Sequence, residues 1–184
     1  MVLPKFRLRF NMKHVMFSKI KFLALLALFL AAVVPASIAD AKTGKSTGLP
    51  IPRFVSLASD EVNMRHGPGT SFPIAWVYQV ENLPVQVIDE WVHWRKIRDL
   101  DGVEGWVHKS LLRGRRSAII TQDMADVMNR ETGDARLVGQ LGRNMVVQIK
   151  RCRLQHCLIE KGPVEGWLAK NQFYGAFDRE VFGD

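Results

Sequence analysis

The pentapeptide Val103-Glu104-Gly105-Trp106-Val107 recurs sixty-one residues later as Val164-Glu165-Gly166-Trp167-Leu168. Upstream of each copy, Leu83-Pro84-Val85-Gln86-Val87 matches Met145-Val146-Val147-Gln148-Ile149 at an offset of sixty-two, and downstream Gly114 matches Gly175. Only two copies of a unit near sixty residues long exclude a solenoid, which needs about three repeats to bury a continuous core. The repeat therefore predicts tandem small domains.

Each copy alternates short apolar runs with turn residues and shows no helical period. In the first copy the pattern predicts strands at 61–64, 74–80, 83–88, 92–98 and 103–108. A long loop, 65–73, separates the first two; Glu81-Asn82 is a turn and 89–91 a connection. Asp99-Leu100-Asp101-Gly102 reads as a hairpin tip, because Asp-Gly suits the positive φ of tight turns. Residues 109–112 read as a single helical turn. Five short strands per copy predict an all-β fold of two tandem small β-barrels. A barrel of this size buries a marginal core, so two copies joined by a few residues are expected to pack together and cover exposed edges.

The amino-terminal residues read as an address. Residues 1–21 carry six basic side chains and no acid, 22–34 form an unbroken apolar run, and small residues follow at 36–41. That order is a secretory signal peptide, cleaved after Ala39 or Ala41; a start at Met12 or Met16 would shorten its basic region. Thirteen apolar residues fall short of the ~20 that cross a bilayer, so no stable membrane span is expected after cleavage. The division predicted is signal peptide 1–41, flexible linker 42–54, first domain 55–114, linker 115–117, second domain 118–177 and tail 178–184.

The whole chain carries +8, but without residues 1–41 it has 20 basic against 17 acidic residues. A surface so mildly basic gives little support to a nucleic-acid partner. Two cysteines exclude a disulfide-dense scaffold and a four-thiolate zinc site. Cys152 and Cys157 lack metal or redox spacing, and His156 is the one other ligand type nearby. In an oxidising compartment they are expected to pair across the turn Arg153-Leu154-Gln155-His156, which would contribute about 2 kcal/mol; the alternative is two free thiols. No cofactor or metal is expected. His66, His93 and His108 are scattered, and His156 points away from its neighbour Cys157 if both lie in a strand. No nucleophile–base pair follows, so the chain is read as non-catalytic; the rival reading is a small hydrolase, which would need a nucleophile and base paired in a cleft.

Val62-Asn63-Met64-Arg65-His66-Gly67-Pro68-Gly69-Thr70, Trp94-Arg95-Lys96-Ile97 and Glu104-Gly105-Trp106-Val107 resemble the bacterial SH3-like domain family. The resemblance runs from about 56 to 114 and, in the second half only, through a second copy at 118–175. It implies SH3-like barrels, export and a binding role at the envelope: a cell-wall peptide as ligand, or an envelope protein as docking partner. The location implied is periplasmic or extracellular.

Five aromatic residues of copy one, Trp76, Tyr78, Trp91, Trp94 and Trp106, could form a groove, since aromatics give contact area at low entropy cost. Trp106 recurs as Trp167 and Trp94 shares a strand face with Val92, which favours core roles for both. Trp76 aligns with Leu137 or Val138 of the second copy and Trp91 with Arg153, so these two, without aromatic counterparts, are the ligand candidates. In the glycine-rich loop, Arg65 or His66 could meet a carboxylate; alternatively Arg65 pairs with a neighbouring acid, and Arg130 is its nearest counterpart. The basic runs 113–116 and 150–153 read as solvated faces or as contacts to an anionic surface.

Overall fold

In a computed structural model the fold is described for residues 42–183; the signal-peptide reading lies outside these residues. The chain is nearly all β. The first sheet comprises β1 (Arg53–Leu57), β2 (Val62–Arg65), β3 (Ile74–Tyr78), β4 (Pro84–Trp91), β5 (Trp94–Arg98), β6 (Glu104–His108) and β7 (Leu112–Arg113). The second comprises β8 (Ser117–Ile120), β9 (Met124–Met128), β10 (Leu137–Gly142), β11 (Val146–Cys152), β12 (His156–Lys161), β13 (Val164–Ala169) and β14 (Phe173–Tyr174). Both are antiparallel with one topology: β3-β2-β6-β5-β4-β1-β7 and β10-β9-β13-β12-β11-β8-β14.

Period-two alternation explains the strands. Gly105 and Val107 face inward in β6 while Trp106 and His108 face out; Gly166 and Leu168 repeat this in β13. Each inward glycine is sterically required. A Cβ at Gly105 would lie 2.5 Å from Met64 Cγ, and one at Gly166 would lie 2.6 Å from the Met128 carbonyl oxygen. Each sheet curls around its own core: Leu57, Val62, Met64, Val85, Val87, Ile97 and Val107 in the first, Ile120, Val127, Leu141, Val147, Ile149, Ile159 and Leu168 in the second. Each such side chain contributes roughly 1.5–3 kcal/mol on burial.

Three expectations change. Each sheet has seven strands rather than five, because β1 and the two-residue β7 join at the far edge. The strand expected to start at 92 starts at Trp94, since β4 runs on to Trp91 and Val92-His93 form the turn. The stretch read as a flexible linker is a docked loop that runs into β1. Thr43 bridges Pro50, and the loop closes over Glu90. The hairpin at Asp99–Gly102 forms as expected, with Asp99 Oδ1 accepting from the Val103 N–H at 2.8 Å and Gly102 at φ 82°. The expected helical turn is a 3-10 turn at Lys109–Leu111.

The two sheets pack directly on one another. Phe54, 5% exposed, meets the Tyr174 ring edge-to-face at 5.0 Å and the Phe177 ring at a tilt at 4.7 Å. Arg116, in the stretch joining the sheets, donates to Glu180 at 2.9 Å and to the Gly175 carbonyl at 2.8 Å, and lies over the Phe54 and Phe182 rings. The stretch read as a tail is packed: Phe182 bridges Cys152, and buried Lys170 donates to the carbonyls of Phe177, Asp178 and Glu180. Burial holds the Lys170 ammonium below its ordinary pKa despite Glu180 and Asp178.

Candidate functional site

The hairpin register builds an outward platform on the first sheet. Trp91 pairs with Trp94, which pairs with His108; in the adjacent row Asp89 pairs with Lys96, Lys96 with Trp106 and Trp106 with Arg65. Trp91 is 57% exposed, and Trp94, Trp106 and His108 are half-buried. The Trp94 ring meets the His108 ring edge-on at 5.4 Å, and the His93 ring lies 6.2 Å from His108. Three indole rings and two imidazoles thus lie together, with the Lys96 and Arg65 side chains beside them.

The turn carrying this platform is strained. Val92 sits at φ 47° and is exposed. A β-branched residue is a genuine outlier in the left-handed region, and such strain persists where surroundings over-determine it. Beneath the turn, Arg95 is 6% exposed and donates to the Val92 and Trp94 carbonyls at 3.2 and 2.9 Å. It also pairs with Glu90 at 3.4 Å. Glu90 has no exposed side-chain surface and accepts from Arg53 at 2.7 Å, from Thr47 Oγ1 at 2.8 Å and from the N–H groups of Ser46 and Thr47. Burial works to raise the Glu90 carboxyl. The donors Arg53, Thr47 and Ser46, with the Arg95 charge, outweigh it and hold the group below its ordinary pKa. The ion pair and the docked loop therefore clamp the turn from below.

The residues singled out from sequence fall in three places. Trp91 joins the platform. Trp94 and Trp106, expected in the core, join it too, because the inward positions of their strands are Arg95, Ile97, Gly105 and Val107. The glycine before Trp106 and the buried Val after it were a sequence signal for an outward Trp106. Trp76 lies elsewhere. It pairs with Met64 and lies on the same strand face as buried Tyr78, yet it is 57% exposed at the mouth of a cleft of about 310 Å³ shared with Ile119 and Asn144 of the second sheet. There the Tyr78 hydroxyl donates to Asp99 at 2.9 Å; burial first, then the Asp99 carboxylate, raise the phenol above its ordinary pKa. Arg65 borders Trp106, but it donates to the carbonyls of Phe72 at 2.7 Å and Thr70 at 3.2 Å and so pins the glycine-rich loop. His66 is exposed on that loop.

The second sheet replaces the platform. By register Trp91 corresponds to Arg153, Trp94 to His156, His108 to Ala169 and Arg65 to Met128, not Arg130. Trp76 corresponds to Gly139 rather than Leu137 or Val138. Trp167 remains, with the Arg151 guanidinium 5.5 Å from its ring centre. Cys152 and Cys157 are disulfide-bonded. Four of the six cations in the basic runs are paired locally. Arg113 pairs with Glu81, Arg116 with Glu180, Lys150 with Glu160 and Arg153 with Glu131.

One histidine meets a hydroxyl: His108 Nδ1 lies 2.7 Å from Ser110 Oγ and also takes the Ser110 N–H. The contact caps the 3-10 turn. Among the described residues no carboxylate pairs with His108, and no cluster of His, Cys, Asp or Glu is arranged to hold a metal.

No curated protein matches the chain. Among solved structures it is similar to NlpC2 from Trichomonas vaginalis, at 10% identity and TM-score 0.32, over 68% of this chain and 48% of that one. It is likewise similar to NlpC1 from Trichomonas vaginalis, at 11% identity and TM-score 0.33, over 73% of this chain and 49% of that one. The chain spans about half the length of either protein. Residues 58–114, which contain β2 to β7 and the whole platform except the loop 42–50 beneath it, match the bacterial SH3 domain.

Proposed function

We propose that the chain is an exported, non-catalytic binding module of the bacterial envelope, and that the Trp91–Trp94–His108–Trp106 platform takes cell-wall peptide. The observation that carries this reading is the exposed aromatic face, held by a strained turn and missing from the otherwise similar second sheet. Rigid aromatics lose little entropy when they bind. The bacterial SH3 domain match supports a wall-binding role, and the disulfide suits an oxidising compartment. The second sheet braces the first through Phe54 and Arg116.

The test is co-sedimentation of residues 42–184 with isolated wall sacculi, across a salt series. Saturable binding that tolerates salt, falls at least tenfold in Trp91→Ala and Trp106→Ala, and persists in Trp76→Ala supports the platform. The sacculi should release no soluble fragments. Binding that disappears at modest salt would reflect charge alone. Failure to sediment in any condition would overturn the reading and leave docking of an envelope protein as the role.

A further inference from the structure

The cleft at Trp76 is a second accessible surface of the first sheet, away from the platform. Three of the side chains that line it are apolar and in water: Trp76 is 57% exposed, Val103 44% and Leu100 41%. Apolar side chains clustered in this way mark interaction sites. One wall is β3, an edge strand that pairs with β2 alone. From residue 67 to residue 80 it and its flanks carry no charged side chain, whereas natural sheets commonly guard a free edge with charge.

The second sheet closes the same place. By register Trp76 corresponds to Gly139, Val103 to Val164 and Asp99 to Lys161. A Cβ at Gly139 would lie 2.9 Å from Val164 Cγ1, so Val164 packs directly over that glycine and against its own core. In the first sheet an indole replaces the glycine, Val103 stays in water and the hairpin tip bears carboxylates instead of a lysine.

Charge then selects the occupant. Asp99 and Asp101 are the charged residues among those lining the cleft. The cations nearest along the hairpin, Lys96 and Arg98, are both held by Glu104 at 2.6 Å. Asp99 is positioned by neutral donors, the Tyr78 hydroxyl at 2.9 Å and the Val103 N–H at 2.8 Å, which fix the carboxylate without cancelling its charge. Asp101 is exposed. An indole face attracts a cation, and a guanidinium both stacks on aromatic rings and forks to carboxylates. We propose that this cleft docks an extended segment of a partner protein that presents an arginine between apolar side chains. The guanidinium covers Trp76 and faces the two carboxylates, and the apolar neighbours cover Leu100 and Val103. The site does not depend on the aromatic platform.

The probe is an acetylated, amidated pentapeptide of serine, valine, arginine, valine and serine, titrated into the 15N-labelled protein. Comparison peptides carry citrulline, which keeps the shape and loses the charge, or glutamate in place of the arginine. The arginine peptide should give saturable shifts at the Leu100 and Val103 amides and the Trp76 indole N–H, with each comparison peptide at least tenfold weaker. Trp76→Ala and Asp101→Asn alter exposed side chains. Each should weaken binding about tenfold and leave the rest of the spectrum in place. Trp91→Ala should leave this titration unchanged whatever it does to sacculus binding, so the two sites stand or fall separately. Shifts that do not saturate, a citrulline peptide that binds as well, or affinity unaltered in both variants would overturn the proposal. So would sacculus binding that falls in Trp76→Ala, which would give the cleft to the wall.

Discussion

Glu90 and Arg95 in the first sheet occupy the register positions of Cys152 and Cys157 in the second. Both pairs follow the same bulge, between Val87 and Asp89 in one sheet and between Ile149 and Arg151 in the other. Both are buried, and both hold a segment flanking their sheet: the loop 42–50 on Glu90, the segment reaching Phe182 on Cys152. One fold thus solves one problem with an ion pair and with a covalent bond. The difference shows above each pair. Arg95 has donors to spare and uses them on the Val92 and Trp94 carbonyls, so the first sheet supports a strained aromatic turn. A disulfide offers no donors, and the turn above it carries Arg153, Leu154, Gln155 and His156.

The largest effect should come from breaking the ionic version. Glu90→Ala strands Arg95 in a dry site and frees the docked loop, which should cost about 3–5 kcal/mol in urea unfolding. A loss within 1 kcal/mol, on the scale of an exposed pair, would show that the pair is no clamp. The pH dependence follows from the lowered Glu90 pKa. Ionised Glu90 stabilises the fold above the ordinary carboxylate pKa of about 4.3, and that stability is lost as pH falls through the lower folded value. The stability gap between wild type and Glu90→Ala should therefore narrow below about pH 4.

The covalent version should matter less. Cys152→Ser with Cys157→Ser should cost about 2 kcal/mol and raise amide exchange at Phe182, with the platform unaffected. Exchanging the two solutions sharpens the comparison: Glu90→Cys with Arg95→Cys should form a disulfide, detectable by mass, while the loop 42–50 and the Val92 turn lose their anchors. Absence of that disulfide under oxidising conditions would mean the two positions are not equivalent. The smallest effect is at the turn itself. Val92→Gly should stabilise by about 1 kcal/mol by relieving the positive φ, seen as a higher unfolding midpoint, and should weaken sacculus binding by loosening Trp91 and Trp94.

The repeat of Gly105-Trp106 as Gly166-Trp167 made the two sheets and most of their strands legible, because alternation is a local property. The same alternation carried the orientation of Trp106, which recurrence alone had pointed to the core. Glu90 was not legible. Its partners Ser46, Thr47 and Arg53 lie some forty residues away, and the loop's polar, glycine-rich composition is also that of a linker. Trp76 and Trp91 seemed one site because both lack aromatic counterparts, yet four steps of strand order separate β3 from β4. The Trp76 cleft had no local signature, since Trp76, Asp101 and Ile119 come together only once the strands pair and the sheets pack.

The docked loop also has a mechanical meaning. Tension entering the fold at residue 42 first meets the Lys42–Ile51 and Thr43–Pro50 contacts that close the loop, with the Ser46 and Thr47 hydrogen bonds to Glu90 behind them. At the other end, tension entering at residue 183 meets the Phe182–Cys152 bridge, backed by a covalent bond. The first end yields by releasing a few hydrogen bonds and lengthening by roughly ten residues of slack, about 35 Å at full extension. The second yields by parting two backbone hydrogen bonds, and the disulfide then keeps β11 and β12 joined after the flanking segment has peeled away. Under load both flanking segments would release first, and the second sheet alone would retain a covalent lock across its central hairpin.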